Sequence, residues 1–361
     1  MEANTLTSAC SAVSFDIYET FASFMKDEEV LLHSAIIPLY CVSSYRDQIS
    51  APLAAILALT KLIETSGAGT MFELVKALND GAEALKASNS NPISLNAGCE
   101  LFIAFVTLLP HDSASFSDLK LELVRQGQKY AAEALTYRDK IANLALGFIK
   151  DDSVILTHSY SRVVMKTLLR AHERKRISVY VTEARPRGLG LRTYEELTAA
   201  GIPCTVVLDS AVSYVMDKVD FVLVGSEAVV ESGGLINAVG SNQIAIIAQA
   251  ANIPFYALAE SYKFHRLFPL SQDDLPTHKP NILSFPLSSA GNVATPPSTG
   301  AIKPAHERDS NDKVRQMTAE QIACNPGVDY TRPDLITLVF SDVGSLTPEG
   351  VSQYLVGMFA G

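Results

Sequence analysis

Through the first 149 residues, apolar side chains return every three or four positions, the spacing that puts them on one face of a helix. Phe15, Tyr18, Phe21, Ala22 and Met25 make one such stripe, and Val30 to Tyr40 continue it. Leu53, Ile56, Leu57, Thr60 and Ile63 make a second; Phe72, Val75, Leu78, Ala82 and Leu85 make a third. The polar stretch Asn89–Asn96, with Pro92 inside it, interrupts the series before a helix resumes through CELFIAFVTLL. After a loop at Pro110–Ser115, one long helical pattern is predicted from about Ser117 to Ile149. No segment of this half alternates as a strand would.

The period then changes. Short β-branched runs occur at Ser153–Leu156, Ile177–Thr182, Cys204–Leu208, Val219–Val224, Ile253–Leu258 and Leu335–Phe340. Helix-length segments lie between several of them, at Arg162–Glu173, Thr193–Ala200, Ala211–Met216 and Gln243–Ala251. Apolar strands alternating with helices predict an α/β fold, a doubly wound, Rossmann-like parallel sheet buried on both faces. The expected organisation is an N-terminal helical domain over residues 1–149 and an α/β domain over residues 150–361. Residues 284–318, rich in Ser, Thr, Pro and Ala, cannot offset their ordering entropy by burial and are expected to form a mobile surface insertion.

Charge and composition narrow the function classes. The net charge of −10 argues against a general nucleic-acid binder, which needs clustered cations; one local basic patch, Arg170–Arg176, is the exception. The five cysteines (Cys10, Cys41, Cys99, Cys204, Cys324) have no short pairing, and the seven histidines show no metal-binding spacing. The expectation is a reduced compartment, no metal and no membrane span, since no run reaches about 18 apolar residues. The N-terminus has neither a basic start nor an apolar core, so no secretory signal is expected and the chain is placed in the cytoplasm.

Ligands of open α/β sheets bind beyond the C-terminal strand ends, where strand order reverses. The segment THSYSR follows the first strand and precedes a helix. Helix-terminal amides together with Thr157, Ser159 and Ser161 could hold an anion there, or simply cap the helix. Arg185, in TEARPRGLGL after the second strand, could present a guanidinium to phosphate. GLGLR is not a dinucleotide fingerprint, because it does not follow the first strand. Asp209 and Glu227 could form a carboxylate pair for acid–base work, or could be ordinary caps. Ser159 lacks a nucleophile elbow, and His158 beside it points elsewhere in a strand or turn. Lys263, in ESYKF after the fifth strand, is a further phosphate donor.

The strings ILTHSYSRVV, SVYVTEARPRG, IPCTVVLDSAVSYVM, VDFVLVGSEAVVESGGLIN, PFYALAESYKFHRLFPL and NPGVDYTRPDLITLVFSDVGSLTP resemble the alpha-subunit family of eukaryotic translation initiation factor 2B. They cover essentially all of residues 151–361 outside the polar insertion, and NAGCELF matches in the helical half. Methylthioribose-1-phosphate and ribose-1,5-bisphosphate isomerases share the superfamily. Those isomerases carry Cys in a T-H-C-N string, matched here by Ser159 followed by Tyr160. They carry Asp in G-A-D-R, matched by Glu227, and an N-K pair, matched by Asn237 and Ala238. A hydroxyl is a weaker acid and nucleophile than a thiol, and a longer carboxylate misplaces its charge. The resemblance therefore implies a non-catalytic regulatory subunit of the guanine nucleotide exchange factor for initiation factor 2, with an active sugar-phosphate isomerase as the alternative.

It further implies a homodimer bridging two copies of the beta, gamma, delta and epsilon subunits, and sensing of the phosphorylated alpha subunit of initiation factor 2. No cofactor is implied. A retained pocket for a sugar phosphate or nucleoside monophosphate would involve Asn96, Ala97, Gly98, Ser159, Tyr160, Ser161, Arg162, Arg185, Asp209, Glu227, Asn237 and Lys263.

Overall fold

Helix α1 (Ile17–Lys26) begins where the Asp16 carboxylate accepts the amides of Tyr18 and Glu19, the usual way to satisfy orphan N–H groups at a helix start. The computed structural model describes residues 15–26, 49–87, 92–109, 115–285 and 317–359. The predicted stripe from Val30 to Tyr40 and residues 286–316 of the polar insertion lie outside them. Four more helices build the first core: α2 (Ala51–Thr65), α3 (Met71–Ala87), α4 (Pro92–Leu108) and α5 (Phe116–Ala134). Helix α2 carries more than the predicted stripe; Ala54, Ala55, Ala58 and Leu59 are buried as well, because α1, α3, α4 and α5 surround it.

Two helix boundaries differ from the sequence expectation. Helix α4 starts at Pro92, inside the stretch expected to break it. A proline in the first turn removes only an N–H that has no helical partner there, and its fixed φ suits the helix. The long helix expected from Ser117 to Ile149 is interrupted at Leu135–Thr136, where Thr136 turns its amide and hydroxyl to the Glu133 carbonyl at 2.9 and 2.7 Å. The second piece, α6 (Tyr137–Ala145), packs on the next half, burying Ile141 and Ala145 with the α/β core.

The α/β half alternates β1 (Ser153–His158), α7 (Arg162–His172), β2 (Ile177–Thr182), α8 (Leu189–Ala199), β3 (Cys204–Val207), α9 (Val212–Val215) and β4 (Phe221–Val224). It continues with β5 (Ala228–Val230), β6 (Leu235–Ala238), α10 (Ser241–Ala250), β7 (Phe255–Leu258) and β8 (Phe264–His265). Past the insertion come α11 (Ala319–Ala323), β9 (Val328–Thr331), β10 (Leu338–Ser341), β11 (Gly344–Leu346) and α12 (Pro348–Phe359). The large sheet has the order β11-β10-β7-β4-β1-β2-β3 and is parallel except for β11. Its registers pair Ser153 with Ile177 and Ile155 with Phe221, so strand order reverses between β1 and β4. This is the doubly wound sheet the alternating pattern predicts.

A second sheet, β8-β5-β6-β9, was not foreseen. Its members have two to four residues, too few to display alternation, and β5 and β6 turn on Gly233 at φ 83°. Its own small core gathers Ile93, Ala228, Val230, Ile236, Leu275, Val328 and Tyr330, reaching α4 through Ile93. Among the described residues no helix is long and apolar enough to cross a membrane.

Helix α8 starts four residues before the predicted Thr193, within the Gly-Leu-Gly-Leu string, because Gly188 enters it at φ 64° and Gly190 lies hard against β2. A Cβ on Gly190 would fall 1.8 Å from the Thr182 carbonyl oxygen, which the sheet holds in place. Gly190→Ala is therefore expected to destabilise the protein by about 3 kcal/mol, the upper end for overpacking, read as a lowered denaturant midpoint with an unchanged slope.

Candidate functional site

Parallel strands deliver all their C-terminal ends to one edge of the large sheet, and strand order reverses between β1 and β4, the position where sheets of this type form a ligand crevice. Four predicted residues, Ser159, Tyr160, Ser161 and Arg162, leave β1 at that point. Ser159 adopts a left-handed φ of 60°, and its carbonyl is pinned by the Thr193 hydroxyl at 2.7 Å. The expected hydroxyl cap is not made: Ser161 occupies the cap position of α7 without a side-chain bond to it. Its Oγ lies instead against Gly225 after β4, where a Cβ would sit 2.1 Å away. Tyr160 turns to α8, donating to Glu196 at 3.2 Å beneath the Arg192 guanidinium, 3.9 Å from its ring centre. Arg162 opens α7.

Lys263 arrives at the same crevice from the turn after β7. Its ammonium donates to the Ser226 carbonyl at 2.9 Å and pairs with Glu260 at 2.9 Å. The other Glu260 oxygen meets the Arg138 Nε of α6 at 3.1 Å. The side chains of Glu260, Arg138 and Lys263 are 2%, 14% and 13% exposed, so solvent screens this triad weakly. Burial alone would raise the Glu260 pKa, but the charges of Lys263 and Arg138 overcome it and hold the carboxyl well below its usual range. Between Glu260 and Lys263, Tyr262 enters the helical core, stacks on Tyr137 at 6.2 Å and meets the Ser50 hydroxyl at 3.1 Å.

The wall beyond β6 is a turn held from two sides. Asn237 donates to the Ser241 hydroxyl at 3.0 Å. His158, at the end of β1, contacts Thr182 Oγ1 at 2.6 Å and the Val239 carbonyl at 3.0 Å. The neighbouring Gly240, at φ 109°, leaves the imidazole its space. Asp329 of β9 accepts the Gly240 and Asn242 amides at 2.7 and 3.0 Å, securing the start of α10. Burial lowers the His158 pKa, partly opposed by the charge of Asp209, and pushes Asp329 up to about 7 despite those two amides.

The remaining predicted residues fall at separate places: Asp209 with Arg185, Glu227 by itself, and Asn96 to Gly98 on α4. Asp209 opens the short turn after β3 and braces the loop after β2. Its oxygens accept the amides of Ala184 and Arg185 at 2.9 and 2.8 Å. The Arg185 guanidinium pairs with Glu183 at 2.9 Å. Glu227 is half-buried, with its amide on the Ile236 carbonyl. Asn96 of α4 approaches His265 Nε2 at 2.7 Å and Glu100 at 3.1 Å. Ala97 is buried, and Gly98 provides the close approach of α4 to Pro52. Sequence reasoning missed Arg138, Glu260, His265 and Asp329. Glu260 had a local signal, standing three residues before the selected Lys263; Arg138 is 122 residues away from its partner and had none.

The basic patch is largely neutralised where it stands. Lys166 and Arg170 share Asp139 at 3.1 and 3.7 Å, Arg176 pairs with Asp151 and Asp152, and Lys175 donates to the Leu146 and Ile149 carbonyls. Among the described residues, no group of three or more His, Cys, Asp and Glu side chains is placed to hold a metal ion.

Three comparisons bear on this site. The family described as the Initiation factor 2 subunit family matches residues 45–348. Translation initiation factor eIF2B subunit alpha of Dictyostelium discoideum is 39% identical over 315 residues, covering 86% of this chain and 92% of that relative. Ribose 1,5-bisphosphate isomerase of Archaeoglobus fulgidus is 29% identical over 268 residues, covering 72% and 74%. The solved tetrameric eIF2B-beta2-delta2 complex from C. thermophilum contains a chain with a TM-score of 0.65 at 16% identity, covering 94% of this chain and 98% of that one, a likeness of fold.

Glu260→Gln removes the counter-charge of two poorly solvated cations and is expected to cost about 3–5 kcal/mol of stability by chemical denaturation. Asp329 has the opposite sign of pH dependence to an ion-paired carboxylate. Its folded-state pKa of about 7 lies above the reference 3.8, so the native state binds this proton more tightly than the unfolded chain. Its contribution favours folding below about pH 4 and is withdrawn as pH rises to about 7. Asp329→Asn should flatten that part of a stability profile measured from pH 4 to 8; an unchanged slope would exclude Asp329 as its source.

Proposed function

This chain belongs to the initiation factor 2 subunit family, and we propose that it is a regulatory subunit of the exchange factor acting on initiation factor 2. The observation that carries this reading is the near full-length likeness to an eIF2B alpha subunit, 86% of one chain against 92% of the other. In this proposal the chain works in the cytoplasm as a homodimer. It bridges two sets of beta, gamma, delta and epsilon subunits and helps them respond to the phosphorylated alpha subunit of initiation factor 2. Catalysis of exchange belongs to another subunit.

The crevice between β1 and β4 is read as a retained anion pocket for a sugar phosphate or nucleoside monophosphate. Support comes from Ser161, Ser226 and Lys263 meeting at the strand reversal, the position where this sheet type takes ligands. Ser159 and Glu227 stand where the resemblance places the thiol and aspartate of the isomerases. The left-handed Ser159 has its carbonyl tied to Thr193, and the contacts of His158 go to Thr182 and Val239. That arrangement supports binding over proton transfer. The 29% identity to a ribose 1,5-bisphosphate isomerase favours the second reading, an active sugar-phosphate isomerase.

Affinity purification from the native source with partner identification by mass tests the assembly, and recovery free of any factor subunit would overturn it. Incubation with ribose 1,5-bisphosphate is expected to yield no ketose; turnover would favour the isomerase. Ribose 5-phosphate or AMP at about 100 times its dissociation constant should add about 2.7 kcal/mol of stability, visible as a raised Tm.

A further inference from the structure

We infer that Arg138, on the helical half, is a positioning residue for the crevice, acting on Lys263 through the shared carboxylate of Glu260. The ligand is the phosphate monoester of the pocket reading above, on which this inference rests. Sequence reading offers Lys263 as a simple phosphate donor. In the structure its ammonium is already committed, to the Ser226 carbonyl and to Glu260, both at 2.9 Å. A phosphate oxygen arriving at the β1–β4 reversal therefore competes with Glu260 for the ammonium. How strongly Glu260 competes depends on its other partner, Arg138, at 3.1 Å from the opposite carboxylate oxygen.

The electrostatics follow from one anion divided between two cations. With Arg138 present, Glu260 is drawn toward the helical half and its hold on Lys263 is diluted. Without Arg138 the whole carboxylate charge falls on Lys263, and the ammonium is less available to phosphate. With an uncharged residue at 260, Lys263 loses its competitor. The two substitutions thus move phosphate affinity in opposite directions.

Anchoring of the turn is a separate matter. Tyr137, adjacent to Arg138 on α6, stacks on Tyr262 at 6.2 Å, and Ser50 meets the same tyrosine at 3.1 Å. A merely structural Arg138 would share that anchoring task, and its loss and the loss of Glu260 would both weaken binding.

The test is isothermal titration of the full chain with ribose 5-phosphate and with AMP, for wild type, Arg138→Met, Arg138→Lys, Glu260→Gln and the Arg138→Met/Glu260→Gln double variant. Arg138→Met is expected to weaken binding by about fivefold or more, and Arg138→Lys to restore most of it. Glu260→Gln is expected to tighten binding, and adding Arg138→Met to it should then change nothing, as a double-mutant cycle requires for action through Glu260. Equal affinities of wild type and both Arg138 variants overturn the inference, as does weakening by Glu260→Gln. Should Glu260→Gln fail to fold, the comparison of Met with Lys at position 138 decides alone. Wild-type protein that binds neither compound at millimolar concentration overturns the pocket reading itself, and the inference with it. Binding that is indifferent to position 138 overturns the inference alone.

Discussion

A carboxylate that is 2% exposed survives as an anion only if opposite charge is brought to it, and the architecture around Glu260 satisfies that condition from two directions. Arg138 comes from the helix that follows the helical bundle; Lys263 comes from the same short turn as Glu260. The cost of burying the ion is thus fully offset only when the helical half and the α/β half are docked. Tyr262 adds an apolar counterpart, its ring in the helical core while its backbone belongs to the sheet edge. One four-residue turn therefore couples the two cores by charge and by burial at once.

The large sheet supplies the other constraint. Its order places the exits of β1 and β4 side by side, and the absence of a side chain at Gly225 lets Ser161 close against the second exit. The result is a crevice whose polar groups are mostly occupied by the protein itself: Ser159 by Thr193, Lys263 by Ser226 and Glu260, His158 by Thr182 and Val239. On the proposed reading, a ligand there exchanges one hydrogen-bond set for another.

The parallel sheet was legible in the sequence because its strands are long enough to show β-branched runs, and the gaps between them are long enough for helices. The small sheet was not, since strands such as Phe264–His265 carry no period. Helix ends went astray where glycine or proline acts by geometry: Pro92 opens a helix where it was taken to break one, and Gly188 starts α8 early. Of the candidate residues, those leaving β1 and Lys263 could be placed, because strand ends predict location. The duties of Asp209 and Arg185 could not. Asp209 proves to brace a backbone loop, and the Arg185 side chain is held by Glu183. Arg138 was invisible because nothing local marks a cation whose partner lies 122 residues away.

The chain passes between the two sheets four times: from β4 to β5, back from β6 to β7 through α10, from β7 to β8, and back from β9 to β10. A hinge needs a place where a few backbone torsions can change without moving the rest. Four tethers, two leaving the C-terminal edge of the large sheet and two returning at its N-terminal edge, deny the small sheet any single axis to swing on. The wall that β6 and the start of α10 present to the crevice is accordingly preset. On the proposed pocket reading, ligands would be sorted by fit to a fixed contour, and the adjustment that binding requires would come from side chains or from the helical half, not from a closing flap.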